Sequence, residues 1–109
     1  MPTTAPAEDR IFHALADPSR RAIFESLTRG EAAVKDLTAR FDISQPAVSQ
    51  HLAALRDAGL VRGRREGRLV YYRVEPRGMK PLIDWITHYR AFWTEHVGRL
   101  ERLLERMDG

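Results

Sequence analysis

The stretch VKDLTARFDISQPAVSQHLAALRDAGLV, residues 34–61, decides the fold. It divides into a short periodic segment, the triplet Asp42-Ile43-Ser44, and a longer periodic segment that closes at Gly59. In the first, about residues 33–41, Val34, Leu37 and Phe41 fall on one helical face. In the second, Ser44 is a suitable N-cap, and Val48, Leu52 and Leu55 recur at i, i+4 and i+7. Two helices across so short a turn read as a helix-turn-helix. The stripe opposite the apolar one is Gln45, Pro46, Ser49, Gln50 and Ala53, all small or polar. A helix that enters the major groove needs this division, with one side bound to its own domain and the other close to base edges. Gln pairs in bidentate fashion with adenine N6 and N7, Ser donates or accepts, and Pro46 offers apolar contact to a thymine methyl.

Working outward, LVRGRRE and RLVYYRV are two strand-like runs joined around Glu66-Gly67-Arg68, a hairpin over residues 60–74. Residues 62–73 hold five Arg against one Glu, although the whole chain carries only +3. Clustered arginine is an electrostatic footprint for phosphate. Arg62, Arg64, Arg65 and Arg68 on the hairpin, with Arg56 further along the second helix, are the candidate backbone contacts. Alternation puts Leu69 and Tyr71 on one side of the hairpin and Val70 and Tyr72 on the other. One Tyr is then packed and one exposed, and alternation leaves open which.

Upstream, residues 1–7 (MPTTAPA) are aperiodic and read as a disordered tail. Ile11, Phe12 and Leu15 mark a first helix over residues 8–16. Asp17-Pro18 then caps and opens a second, with Ala22, Ile23 and Leu27 inward and Gly30 as its stop. Downstream, Pro81 suits the first turn of a long last helix, residues 80–107. Leu82, Ile86, Tyr89, Trp93, Val97, Leu100, Leu104 and Met107 recur there in steps of three or four, an apolar face of about 40 Å. The order α-α-α-α-β-β-α is a winged helix-turn-helix, mainly α with a β-hairpin wing. It makes one domain over residues 8–109, with the helix-turn-helix at 33–58, the wing at 60–74 and a dimerisation helix at 80–107.

With no Cys, disulfides and thiolate metal sites are excluded. No apolar run approaches the ~18 residues of a membrane span and no signal-peptide core is present, so the expected setting is cytoplasmic and without a membrane partner. There is no Gly-rich phosphate loop and no nucleophile beside a base, so no enzyme is expected, and no cofactor.

Three segments carry a family resemblance: LADPSRRAIFESL (15–27), AVKDLTARFDISQPAVSQHLAALRDAGLV (33–61) and RREGRLVYYRV (64–74). They resemble the ArsR family of bacterial winged-helix repressors. The resemblance implies a homodimer, paired through first and last helices, that binds an inverted repeat in double-stranded DNA. It makes Gln45, Pro46, Ser49 and Gln50 the base-proximal residues. Ile11, Phe12, Leu82, Ile86, Tyr89, Trp93, Val97, Leu100 and Leu104 are then the expected dimer-interface residues. Many relatives carry Gly in the turn where this chain has Asp42, and Asp tolerates the left-handed conformation such a turn would use.

The family's helix-three thiolate motif aligns with EAAVKDL, so Ala33 and Lys35 stand where Cys would be, and no metal site is expected there. A second metal reading stays open. Asp84 and His88 lie one turn apart, Asp9 and His13 repeat that spacing, and a cluster at a dimer interface, with Glu95 and His96 nearby, would make a metal-responsive repressor. A winged-helix protein-interaction module is the further alternative. His51, beside the buried stripe, would orient a backbone or phosphate contact. Trp85, Tyr89, Phe92 and Trp93 are read as dimer core, with an apolar effector pocket as the alternative. The run PLIDWITHYRAFWTEHVGRLERLL resembles a metal-independent branch, often autorepressors, which leaves any effector unknown.

Overall fold

The computed structural model describes residues 6–108. Its elements are α1 (Ala7–Leu15), α2 (Pro18–Leu27), β1 (Ala32–Ala33), α3 (Val34–Arg40), α4 (Gln45–Asp57), β2 (Val61–Glu66), β3 (Leu69–Val74), a 3-10 turn (Pro76–Met79), α5 (Lys80–His88) and α6 (Arg90–Asp108). The expected tail at 1–7 lies mostly outside the described residues. Of its last two, Pro6 caps α1 and Ala7 begins it.

Capping chemistry sets the helix starts. Asp17 accepts from the Arg20 N–H at 3.0 Å and Pro18 occupies the first turn of α2. Ser44 Oγ accepts from the Ala47 N–H at 3.2 Å to open α4. At the other end of α4, the Leu60 N–H bonds the Leu55 carbonyl and the Gly59 N–H bonds that of Arg56, with Gly59 at φ +81°. This is a Schellman close, and its two apolar partners, Leu55 and Leu60, are fully buried.

The core gathers one face from each of the first four helices and the base of the wing. Ile11, Ile23, Leu37, Val48, Leu52, Leu55 and Leu60 are its largest fully buried side chains. Ile11 was expected at a dimer interface, but it is 1% exposed within its own chain and belongs to this core. The reason is α2 and α4, which cover that side of α1 and leave Phe12, at 42% exposure, as its outward aromatic.

Three further expectations are corrected. The wing is a three-stranded antiparallel sheet in the order β1-β3-β2, because Ala32 and Ala33 pair with Tyr72 and Tyr71 before α3 begins. The helix-turn-helix turn uses no left-handed residue, since no described residue other than Gly has positive φ. It closes with the Ile43 N–H on the Phe41 carbonyl at 2.9 Å, so Asp42 is not strained there. The long last helix is broken: α5 ends at His88, Tyr89 sits at φ −100°, ψ 7°, and α6 begins at Arg90. Ile86, Thr87, His88 and Tyr89 in succession are weak helix formers whose branched or aromatic side chains crowd the preceding turn.

The corner after α4 meets the corner after β3 without intervening side chains. Glu75 donates its N–H to the Leu60 carbonyl at 2.9 Å, and a Cβ placed on Gly78 would lie 1.6 Å from the Gly59 carbonyl oxygen. Gly78→Ala should therefore cost about 2–3 kcal/mol or more in urea unfolding, as overpacking against backbone does. The Arg20 N–H holds the Asp17 carboxyl below its ordinary value of 3.8. That contribution to stability is complete above the ordinary value and is lost as pH falls through the depressed one. Asp17→Asn should flatten acid unfolding in that window, measured by circular dichroism.

Candidate nucleic-acid interface

Burial of Val48, Leu52 and Leu55 turns the opposite side of α4 to solvent, where Gln45, Pro46, Ser49 and Gln50 are all exposed. Gln45 and Ser49 line a groove of about 260 Å³ with Lys35, Arg68, Val70 and Tyr72. The groove is thus walled by α4, the first turn of α3, and the hairpin turn with the start of β3. The structure brings polar groups of α4 together with the arginine of the hairpin turn.

Strand register sorts the wing residues. Gly63 pairs with Tyr72, Arg64 with Tyr71 and Arg65 with Val70. A Cβ on Gly63 would lie 3.0 Å from the Tyr72 ring, which shows both residues to be on one face. Tyr72 packs against the core and lines the α4 groove, so it is the inward tyrosine. Arg65, opposite Val70, shares that face. Gly67, at φ +61°, followed by Arg68 at negative φ has the sign pattern of a type II′ hairpin turn and sets Arg68 at the tip.

Arg64 is on the other face. Its guanidinium lies 4.7 Å from the Tyr71 ring centroid and bonds both oxygens of Glu31, at 2.6 to 3.2 Å, and Glu66 at 2.9 Å. These bonds, foremost the one to Glu31, raise the Arg64 pKa above its ordinary value, and Arg64 in turn depresses the Glu31 carboxyl. Arg62 is 3.7 Å from Glu75 and Arg56 is 3.6 Å from Asp57. Among the described residues, Arg65 and Arg68 have no ion pair. Of the five arginines picked out from the sequence, the structure therefore puts Arg68 in the α4 groove and Arg65 on the same face of the sheet, and ties Arg64 elsewhere. Glu31 went unnoticed because its partner is 33 residues away and no periodicity links them.

His51 is half-buried, and its Nδ1 is enclosed without a hydrogen-bond partner among the described residues. Ala33 is buried in β1 and Lys35 is exposed in the first turn of α3. Asp9 and His13 line a groove with Ala54 and Asp57, whereas Asp84 and His88 line another with Glu8 and Trp85. Within one chain these two pairs do not converge.

Phe12 meets Trp85 edge-on at 5.3 Å, and Trp85 meets Tyr89 at 5.1 Å, which seats α5 on α1. Leu82 also packs against the core. Beyond the break, Phe92, Trp93, Val97, Leu100, Leu103 and Leu104 of α6 stay about half exposed. The expected interface residues Ile86, Tyr89, Trp93, Val97, Leu100 and Leu104 are all on this uncovered surface.

Comparison with known proteins agrees with the fold. The family model described as bacterial regulatory protein, arsR family, matches residues 17–62. HTH-type transcriptional regulator Rv2034 of Mycobacterium tuberculosis is 39% identical over 94% of this chain and 94% of its own length. Transcriptional repressor SdpR of Bacillus subtilis is 31% identical over 74% of this chain and 90% of its own. The crystal structure of an ArsR family transcriptional regulator superposes with a TM-score of 0.73 at 32% identity, covering 86% of this chain and 97% of the other. With a capped second helix in its helix-turn-helix, a wing and relatives aligned along most of the chain, the protein belongs to the ArsR family of winged-helix transcriptional regulators, which are not enzymes.

Proposed function

We propose that this chain is a homodimeric repressor that reads an inverted-repeat operator with α4 and acts by occluding the promoter, without a metal. One observation carries the DNA reading: Gln45 and Ser49 share a groove with Arg68, on the sheet face that also bears Arg65. Short polar side chains at the start of a helix supply base contacts, and unpaired arginines beside them supply phosphate contacts. Gln45, Pro46, Ser49 and Gln50 are assigned to base edges. Arg65 and Arg68 are assigned to the backbone, with Arg56 and Arg62 as outer phosphate contacts.

The dimer reading rests on the half-exposed apolar surface of α5 and α6, which a chain of this size covers most simply with a second copy. The metal-free reading rests on chemistry at the family's sensor positions. Ala33 offers no ligand and the Lys35 ammonium repels a cation. On the last helices, Asp84 bonds Lys80 at 2.7 Å and Glu95 bonds Arg99, so both carboxylates already hold cations.

Selection from random duplexes with the full chain, followed by fluorescence anisotropy at several salt concentrations, tests this function. A palindromic operator whose binding is unmoved by zinc, nickel or a chelator is the expected result, and release by either metal would favour the His/carboxylate reading. Gln50→Ala should lose about tenfold in discrimination against a scrambled site. Equal discrimination would remove Gln50 from the base-reading set. Arg65→Ala should weaken binding to all sequences and lower the salt slope by about one. Leu100→Asp should give a monomer in sedimentation and lose operator binding, since one α4 reaches only one half-site.

A further inference from the structure

The wing has an anchor on the face away from α4. β1 and β2 are the outer strands of the β1-β3-β2 sheet, and they never pair with each other. Arg64 of β2 nonetheless reaches Glu31, the residue before β1, with Nε on both carboxylate oxygens at 3.2 and 3.1 Å and Nη2 on Oε1 at 2.6 Å. The bridge crosses the central strand with the guanidinium against the Tyr71 ring, while Nη1 holds Glu66 at 2.9 Å near the hairpin tip. Backbone pairing between β1 and β3 is only two residues long, Ala32 with Tyr72 and Ala33 with Tyr71. β1 runs directly into α3, the first helix of the helix-turn-helix. The side-chain bridge thus ties the far strand of the wing to the segment from which that motif starts. Two carboxylates already surround Arg64, so its charge is compensated before any phosphate arrives.

We infer that Glu31 and Arg64 form a positioning clamp that sets the wing against α4, so that an acidic residue promotes DNA binding. The inference rests on the DNA-binding reading above. Simple electrostatics gives the opposite sign: removing a carboxylate from a protein that binds a polyanion tightens the complex. Arg64 as a direct phosphate contact also differs, because its loss would lower the salt slope by about one. A clamp predicts that Glu31→Gln and Arg64→Gln each weaken operator binding by about three- to fivefold, the upper reach of an exposed but bidentate pair. The salt slope stays unchanged, and the double variant is no weaker than either single.

The experiment is anisotropy on the selected operator with wild type, both single variants and the double. Amide hydrogen exchange of the same four proteins without DNA, and their urea midpoints, accompany it. Faster exchange concentrated in residues 61–74, with urea midpoints lowered by no more than about a three- to fivefold change in the unfolding equilibrium, is the expected companion result. Glu31→Gln binding as tightly as wild type or tighter overturns the clamp, as does a fall of about one in the salt slope of Arg64→Gln. Should wild type select no operator, the DNA-binding reading fails, and the exchange data alone still judge the clamp: wing amides as protected in Glu31→Gln as in wild type would end it.

Discussion

Val48, Leu52 and Leu55 bury one side of α4 completely against α2, α3 and β2, and the placing of the other elements follows from that contact. Full burial of three such side chains is worth on the order of 5–8 kcal/mol. An exposed ion pair contributes about 0–1 kcal/mol, so no charge on the surface can compete for the orientation of this helix. Apolar packing decides which way α4 faces, and its Ser44 cap and Schellman close decide where it starts and stops. The polar stripe is presented because the rest of the helix cannot turn away.

Charge is divided rather than pooled. A total of +3 is modest for a protein with five arginines in one hairpin segment. The sheet separates them: the face shared with α4 carries Arg65, while Arg64 and its carboxylates occupy the other. The useful quantity is therefore the charge on one side of a strand, where alternation at period two sets the sign. Arginine spacing alone would have treated Arg64 and Arg65 as equivalent.

Much of this was legible before any coordinates. The caps at Asp17 and Ser44, the stripe of α4 and the hairpin around Gly67 are local signals, and each is found within a residue or so of its expected place. What escaped was non-local or weak. β1 is two residues long and exists only because Tyr71 and Tyr72, far along the chain, pair with it. Ile11 has the same helical spacing as Phe12's neighbours, and only the arrival of α2 and α4 separates core from surface. The break at Tyr89 was hidden by an apolar period that runs through it unchanged, while the propensity of Ile86-Thr87-His88-Tyr89 argued for a stop. Asp42 was judged by a backbone conformation that the turn does not use.

The Gly59–Gly78 contact has a mechanical consequence. Side-chain interfaces absorb small displacements by changing rotamers, but two backbones in contact have none to change. With the Glu75–Leu60 hydrogen bond beside it, this joint fastens the C-terminal end of α4 to the turn that starts α5. A shift of α5 would therefore act at one end of the 13-residue α4, which is about 20 Å long and would move together with the core packed along it. A tilt of about 5° moves the far end by nearly 2 Å, more than the tolerance of a hydrogen bond to a base edge. Gln45 and Ser49 lie toward that end, so under the proposed DNA reading a few degrees at the joint would decide whether they reach a base edge.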